Sequence, residues 1–255
     1  MSSYGLWLSA AGMKVNQHRQ TLLANNMANA NTTGFKHDLA IVSRRRIESE
    51  SASGGLSCAH PVLDDLPGGL SVRPTYHNFA QGPIESTGKP LDIAIEGDGF
   101  FVVSDGTDTR YTRDGEFAIN EAGELVLTSG NGRWKVLDDA GTPIVLDETG
   151  GKLSVSEDGT IRQGRTVVAT LGLMTTEDKK SLRKVGENLF EAKGAEMASI
   201  DGNFRPESRE GSNFDVMTGL ATMIEAQRAY QLNATMLQLQ DHLIGQAVGT
   251  VGRMA

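Results

Sequence analysis

The 255-residue sequence predicts an α+β chain, with a long α-helix at each end and a central, mainly antiparallel β domain rich in hairpins. Three observations predict it. Apolar residues recur every three or four positions near both termini, the middle is punctuated by closely spaced turn dipeptides, and short branched or aromatic runs fill the gaps between those turns.

From Tyr4 to about Ala30 there is no proline, and Tyr4, Leu8, Ala11, Val15, His18 and Leu22 stripe one side of a helix. Lys14, Gln17, Arg19 and Gln20 lie mostly off that stripe. Asn31, Thr32, Thr33 and Gly34 end it, because glycine readily takes the left-handed conformation that terminates helices. The C-terminal region mirrors this pattern. A helix capped by Ser212 or Asn213 is expected to run to about Gln246, with Val216, Leu220, Met223, Gln227, Tyr230, Ala234, Leu237, Asp241 and Ile244 on its seam. Steps of four and three residues sustained this long predict helix-on-helix packing in coiled-coil fashion.

Between the helices, turn signals stand at Asp105-Gly106, Asp114-Gly115, Ala122-Gly123, Asn131-Gly132, Ala140-Gly141, Gly150-Gly151 and Asp158-Gly159. Such pairs favour the turns that close two-residue hairpins. Leu91, Ile93 and Ile95 alternate with Asp92, Ala94 and Glu96, as expected for a strand with one wet face. Arg45 to Gly69 has serines, glycines and an acidic pair without periodicity and reads as extended linker. The expected divisions are an N-terminal helical region over 1–45, a linker over 46–80, the β domain over 81–204 and a C-terminal helical region over 205–255.

Composition narrows the function. The net charge of −8 disfavours a polyanion as main partner, so no nucleic acid is expected. The basic run Arg44 to Arg46 reads as a solvated face. One cysteine, Cys58, rules out an internal disulfide, and no Cys/His set has zinc-ligand spacing. The five histidines, His18, His37, His60, His77 and His242, are scattered. No nucleophile elbow, phosphate loop or zinc-protease motif is present, and Gly97-Asp98-Gly99 lacks a third glycine and reads as a turn between strands. The acidic turns miss the glycine a calcium loop needs. No catalytic residue, cofactor or metal is therefore expected. No stretch is long and apolar enough to span a membrane, and Met1 to Val15 is unlike a secretory signal.

Leu23-Ala24-Asn25-Asn26-Met27-Ala28-Asn29-Ala30-Asn31-Thr32-Thr33-Gly34-Phe35-Lys36 resembles the N-terminal signature of the flagellar rod and hook family. Clustered asparagines propagate a helix poorly, but between packed helices their amides fix register. Pro90 to Phe101, followed by Tyr111-Thr112-Arg113-Asp114-Gly115-Glu116-Phe117, is similar to the opening of that family's middle domain. Glu210-Gly211-Ser212-Asn213 and Glu225-Ala226-Gln227-Arg228-Ala229-Tyr230 resemble its C-terminal signature.

The resemblance implies a structural subunit, not an enzyme, exported through the flagellum's own secretion apparatus without a cleaved signal. It implies a homo-oligomer in a helical tube crossing the periplasm, meeting other rod proteins, the hook protein and surrounding ring proteins, without direct membrane insertion. The assembly seam expected from it comprises Leu8, Ala11, Val15, Leu22, Asn25, Asn26, Asn29, Val216, Leu220, Met223, Gln227, Tyr230, Leu237 and Ile244. Gln227 to Tyr230 and Leu70 to Pro74 look more like the distal-rod type, whereas Lys36 to Ser49 departs from it, leaving a proximal-rod subunit open. An extracellular binding module with helical oligomerisation arms also stays open, though the middle region offers few aromatics for a binding face.

Overall fold

The computed structural model describes residues 2–44, 69–147 and 151–251. Arg45, Arg46, Cys58, His60 and the linker segment 45–68 lie outside the described residues. Two helices at the termini and antiparallel strands between them make the chain α+β. It divides into two compact units. One comprises Met1–Ala28, Asp38–Tyr76 and Asp215–Ala255; the other comprises Asn29–His37 and His77–Phe214.

The first unit is helical. Helix α1 spans Ser2–Ala28 and packs on helix α2, Val216–Val251. Asn26 stops α1 by acting as a surrogate backbone: its Nδ2 donates to Asp38 O at 2.8 Å and its Oδ1 accepts from Asp38 N at 2.9 Å. The cap of α2 is Asp215 rather than Ser212 or Asn213. Its carboxylate accepts from Met217 N and Thr218 N, both at 3.2 Å, which satisfies two orphan amides of the first turn. The anionic form is favoured by those bonds and by the Thr218 hydroxyl, so the carboxyl titrates below its ordinary range. Val42–Arg44 and Leu70–Val72 pair as a short antiparallel ribbon beside α1.

The second unit is the β domain. Its largest sheet runs through Leu182–Gly186, Leu189–Ala192, Thr109–Thr112, Phe100–Ser104, Lys135–Val136, Leu125–Leu127 and Phe117–Ile119, each pair antiparallel. Leu153–Val155, Thr160–Gln163 and Thr166–Thr170 form a three-stranded sheet. Ile93–Glu96 pairs with Asn203–Pro206, and Ile84–Ser86 with Ser208–Glu210. Ile93, Ile95, Phe101, Val103, Leu125 and Leu127 are buried at the centre, and the Phe101 ring meets Phe117 edge-on at 5.1 Å between centroids.

Two sequence expectations change here. Gly106, Gly123, Gly132, Gly141 and Gly159 have positive φ, as turn glycines do, but Asp114-Gly115 closes no hairpin. Its flanking strands do not pair with each other, because Phe117–Ile119 pairs with Leu125–Leu127. A Cβ on Gly115 would stand 1.7 Å from Ile93 O, so glycine is there for close backbone approach. The strand around Ile93 has no wet face until Glu96. Asp92 and Ala94 are buried like Ile93 and Ile95, since Asn203–Pro206 lies along it and Asp92 O accepts from Ser208 N.

Candidate assembly site

In the helical unit, small residues decide which faces meet. Gly5 sits against Gln240 and Gly12 against Asn233, seven residues apart on each helix and in opposite order, so α1 and α2 run antiparallel. A Cβ on Gly12 would come within 2.9 Å of Asn233 Oδ1. The less exposed line of α2 runs through Gly219, Met223, Ala226, Tyr230, Asn233, Leu237, Gln240 and Ile244. Its partner line on α1 includes Gly5, Ser9, Gly12 and Asn16.

The expected seam residues therefore fall on different faces. Met223, Tyr230, Leu237 and Ile244 lie on the covered line of α2, while Leu220 and Gln227, one position away, and Val216, at the first residue of the helix, are exposed. On α1, Val15 is buried, Ala11 and Leu22 are half-buried and Leu8 is exposed. Asn26 is buried against Asp38, whereas Asn25 is exposed and Asn29 Oδ1 accepts from Thr32 Oγ1 at 3.3 Å.

Part of what the covered line leaves outside is an apolar stripe. Met217, Leu220 and Ile224, then Leu232, Met236, Leu239 and Leu243, follow one another at steps of three and four around Arg228. Met217 is 76% exposed, Leu232 69% and Leu243 62%. A single exposed leucine is ordinary, but a stripe of this length on one helix is not.

The β unit holds a second arrangement, made of charge. Thr33, Gly34, Phe35 and Lys36 are all buried, and Lys36 Nζ lies 2.5 Å from Glu210 Oε1 with both side chains fully excluded from solvent. Arg113 Nη1 stands 3.3 Å from the other oxygen, Glu210 Oε2. Lys36 also donates to Ala80 O at 2.8 Å, Arg113 donates to Gly97 O at 2.7 Å, and Gly82 N donates to Glu210 Oε1 at 2.8 Å. Burial pushes the Lys36 ammonium below its ordinary range, and the Glu210 carboxylate opposes that shift. Arg113 is displaced the same way for the same reason.

Gly34 makes this approach possible. Its φ is +66°, its N donates to Glu210 O at 2.7 Å, and a Cβ would stand 2.4 Å from the Arg113 carbonyl carbon. Phe35 lies under the Lys184 ammonium, 3.7 Å from the ring centroid, and Asn188 donates to Thr33 O.

Three family models match the chain. A flagella basal body rod protein model covers residues 9–36, a flagellar hook protein FlgE/F/G D1 domain model covers 94–163, and a flagellar basal body rod FlgEFG protein C-terminal model covers 207–249. The chain is 36% identical over 235 residues to the flagellar basal-body rod protein FlgF of Caulobacter vibrioides, covering 91% of each. The chain belongs to the flagellar basal-body rod protein family. It is also 32% identical to FlgG of Borreliella burgdorferi, over 94% of this chain and 96% of that one, and 29% identical to FlgG of Bacillus subtilis, over 95% and 97%.

The rod protein is thus a structural component of the flagellar basal body, and its family implies assembly with other flagellar axial proteins. No described helix is long and apolar enough to cross a membrane. The buried charges draw one residue from each matched region: Lys36 from the first, Arg113 from the second and Glu210 from the third. All three stand within the motifs that carry the family resemblance, but no pattern in the sequence assigns any of them a role. The available signal was a lysine and a glutamate set beside Phe35 and Gly211 at motif ends, which says nothing of a pairing across 174 positions.

Proposed function

We propose that this chain self-assembles into the helical rod, copy on copy, through the terminal helices, and so forms part of the drive shaft that carries torque across the periplasm to the hook. The observation that carries the reading is the apolar stripe from Met217 to Leu243, left uncovered after α1 has taken the adjacent face of α2. Each leucine buried there by a neighbouring copy contributes roughly 1.5 to 3 kcal/mol, and repetition along a helix multiplies the gain. In the assembled tube the helices pack in coiled-coil fashion, and the seam named from the sequence is shared between the intramolecular face and the stripe. Ring and hook proteins are the neighbours of the assembled rod.

Within the rod we place the chain in the distal segment, on the resemblance of Gln227-Arg228-Ala229-Tyr230 and of Leu70 to Pro74. The departure of Lys36 to Ser49 from the distal-rod type favours the second reading, a proximal-rod subunit. Electron microscopy of basal bodies from a strain carrying a tagged copy separates them. Label next to the hook supports the distal position, and label at the cytoplasmic end of the rod supports the proximal one.

A further inference from the structure

A cluster in the β unit has no part in burying the helices: the hydrogen bonds that converge on Asn213. The chain passes out of this unit after His37, enters again at His77 and leaves after Phe214. The Asn213 amide reaches all three places. Its Oδ1 accepts from His37 N at 2.8 Å and lies 2.9 Å from His37 Nδ1, while its Nδ2 donates to Asn78 O at 2.8 Å and Ala80 O at 2.9 Å. Its backbone N donates to Phe35 O at 3.2 Å, and Asn78 N donates to His37 O at 3.0 Å. The Phe214 ring stands 6.1 Å from the His37 ring.

A primary amide offers two donors and an acceptor oxygen on one short side chain, and here every one is used. It ties three peptide segments together, in addition to the backbone bonds from Asn78 N to His37 O and from Asn213 N to Phe35 O. An isolated extended segment has two soft dihedrals per residue and transmits little torsion, whereas hydrogen-bonded neighbours restrain each other.

We propose that Asn213 is a load-sharing joint that binds the segments at His37, Asn78 and Phe214 into one cooperative bundle, so that twist entering along any one of them is carried into the β unit by all three. The mechanical purpose rests on the rod reading; the coupling of the three segments does not.

The test uses the full-length protein as wild type, Asn213→Ala and Asn213→Asp. In hydrogen exchange, Asn213→Ala raises exchange at least tenfold at Asn78 N as well as His37 N, although the bond from Asn78 N to His37 O is not itself removed. Protection at Phe101 to Val103 stays at the wild-type level. Asn213→Asp keeps the acceptor for His37 but loses both donors, and it opens the Asn78 amide by a similar factor. A rise confined to His37 overturns the proposal. So does loss of protection through the whole core in both variants, which makes Asn213 a general stability residue.

The load is read in a flagellated strain lacking its own copy of the gene. With rods formed, either variant slows at least twofold more than wild type when the medium is made viscous; equal slowing overturns load sharing. If the wild-type chain restores no swimming, the rod reading fails, and the exchange result alone decides the coupling.

Discussion

Lys36 Nζ and Glu210 Oε1 lie 2.5 Å apart, with no solvent exposure on either side chain, across 174 positions of sequence. Two distant ends of the β unit are closed on each other by this pair, and Arg113 completes the contact from the middle of the chain. Removing one member leaves a buried charge without its partner, which costs about 3 to 5 kcal/mol. Glu210→Gln and Lys36→Met are each expected to lower the stability of the full chain by about that amount in a denaturant melt. The double variant Lys36→Met/Glu210→Gln is expected to lose less than the sum of the two. Additive losses would show that the two side chains do not act as a pair.

Gly34→Ala tests the close approach behind that pair. Its positive φ and the 2.4 Å contact with Arg113 both oppose a Cβ, and neither can be relieved by rotating a side chain. A loss of roughly 2 kcal/mol or more is expected, with weakened protection of the Gly34 amide in hydrogen exchange. By contrast, Gly132→Ala, where nothing stands near the added atom, meets only the backbone preference and costs about 1 kcal/mol.

Asp114 gives the β unit a measurable pH dependence. Burial pushes its carboxyl up from 3.8 to about 6, and the nearby charges of Glu116 and Asp92 add to the shift, while bonds from Glu116 N and Ser129 oppose it. Between those two values the folded state holds a proton that the unfolded chain has released, so this group's contribution to stability falls as pH rises from about 4 to 6. Above that window the penalty is on the order of 2 to 3 kcal/mol. Asp114→Asn keeps an oxygen for Glu116 N and is expected to flatten the wild-type melting-temperature profile between pH 4 and 6. A variant whose profile keeps the wild-type slope would assign the pH dependence elsewhere.

The fold class was legible because periodicity survives tertiary folding: Met223, Tyr230 and Leu237 repeat at the spacing that the helix interface uses. The face was harder to read. Hydropathy puts Leu220 on the buried seam, yet α1 packs on the line of Gly219, Ala226 and Asn233, because small residues let the helices approach while Leu220 stays 45% exposed. The turn glycines were readable from their dipeptides, except Gly115, whose role depends on Ile93 passing beside it. The hydrogen-bond cluster around Asn213 was invisible for a related reason. Asn213 looks like a helix cap in sequence, and only the segment at Asn78 to Ala80 and the His37 segment show what its amide binds.

The helical unit separates folding from assembly at the level of single residues. Leu237 is half-buried on the face shared with α1, so Leu237→Asp is expected to loosen the helix pair in the monomer, seen as lower helicity and faster exchange along α1 and α2. Gly12→Val acts on the same face through Asn233 and is expected to have the same monomer effect. Wild-type helicity in both variants would remove the antiparallel pairing of α1 and α2 from the account.

The most direct test of rod assembly through the exposed stripe of α2 is negative-stain electron microscopy of full-length protein at high concentration, wild type beside Leu239→Asp. Leu239 is 54% exposed, so the substitution is expected to leave the monomer's melt and helicity unchanged while abolishing ordered filaments. Wild-type filaments with a folded, non-assembling Leu239→Asp monomer are the predicted result. Filaments of wild-type length and abundance from the Leu239→Asp protein would contradict the account.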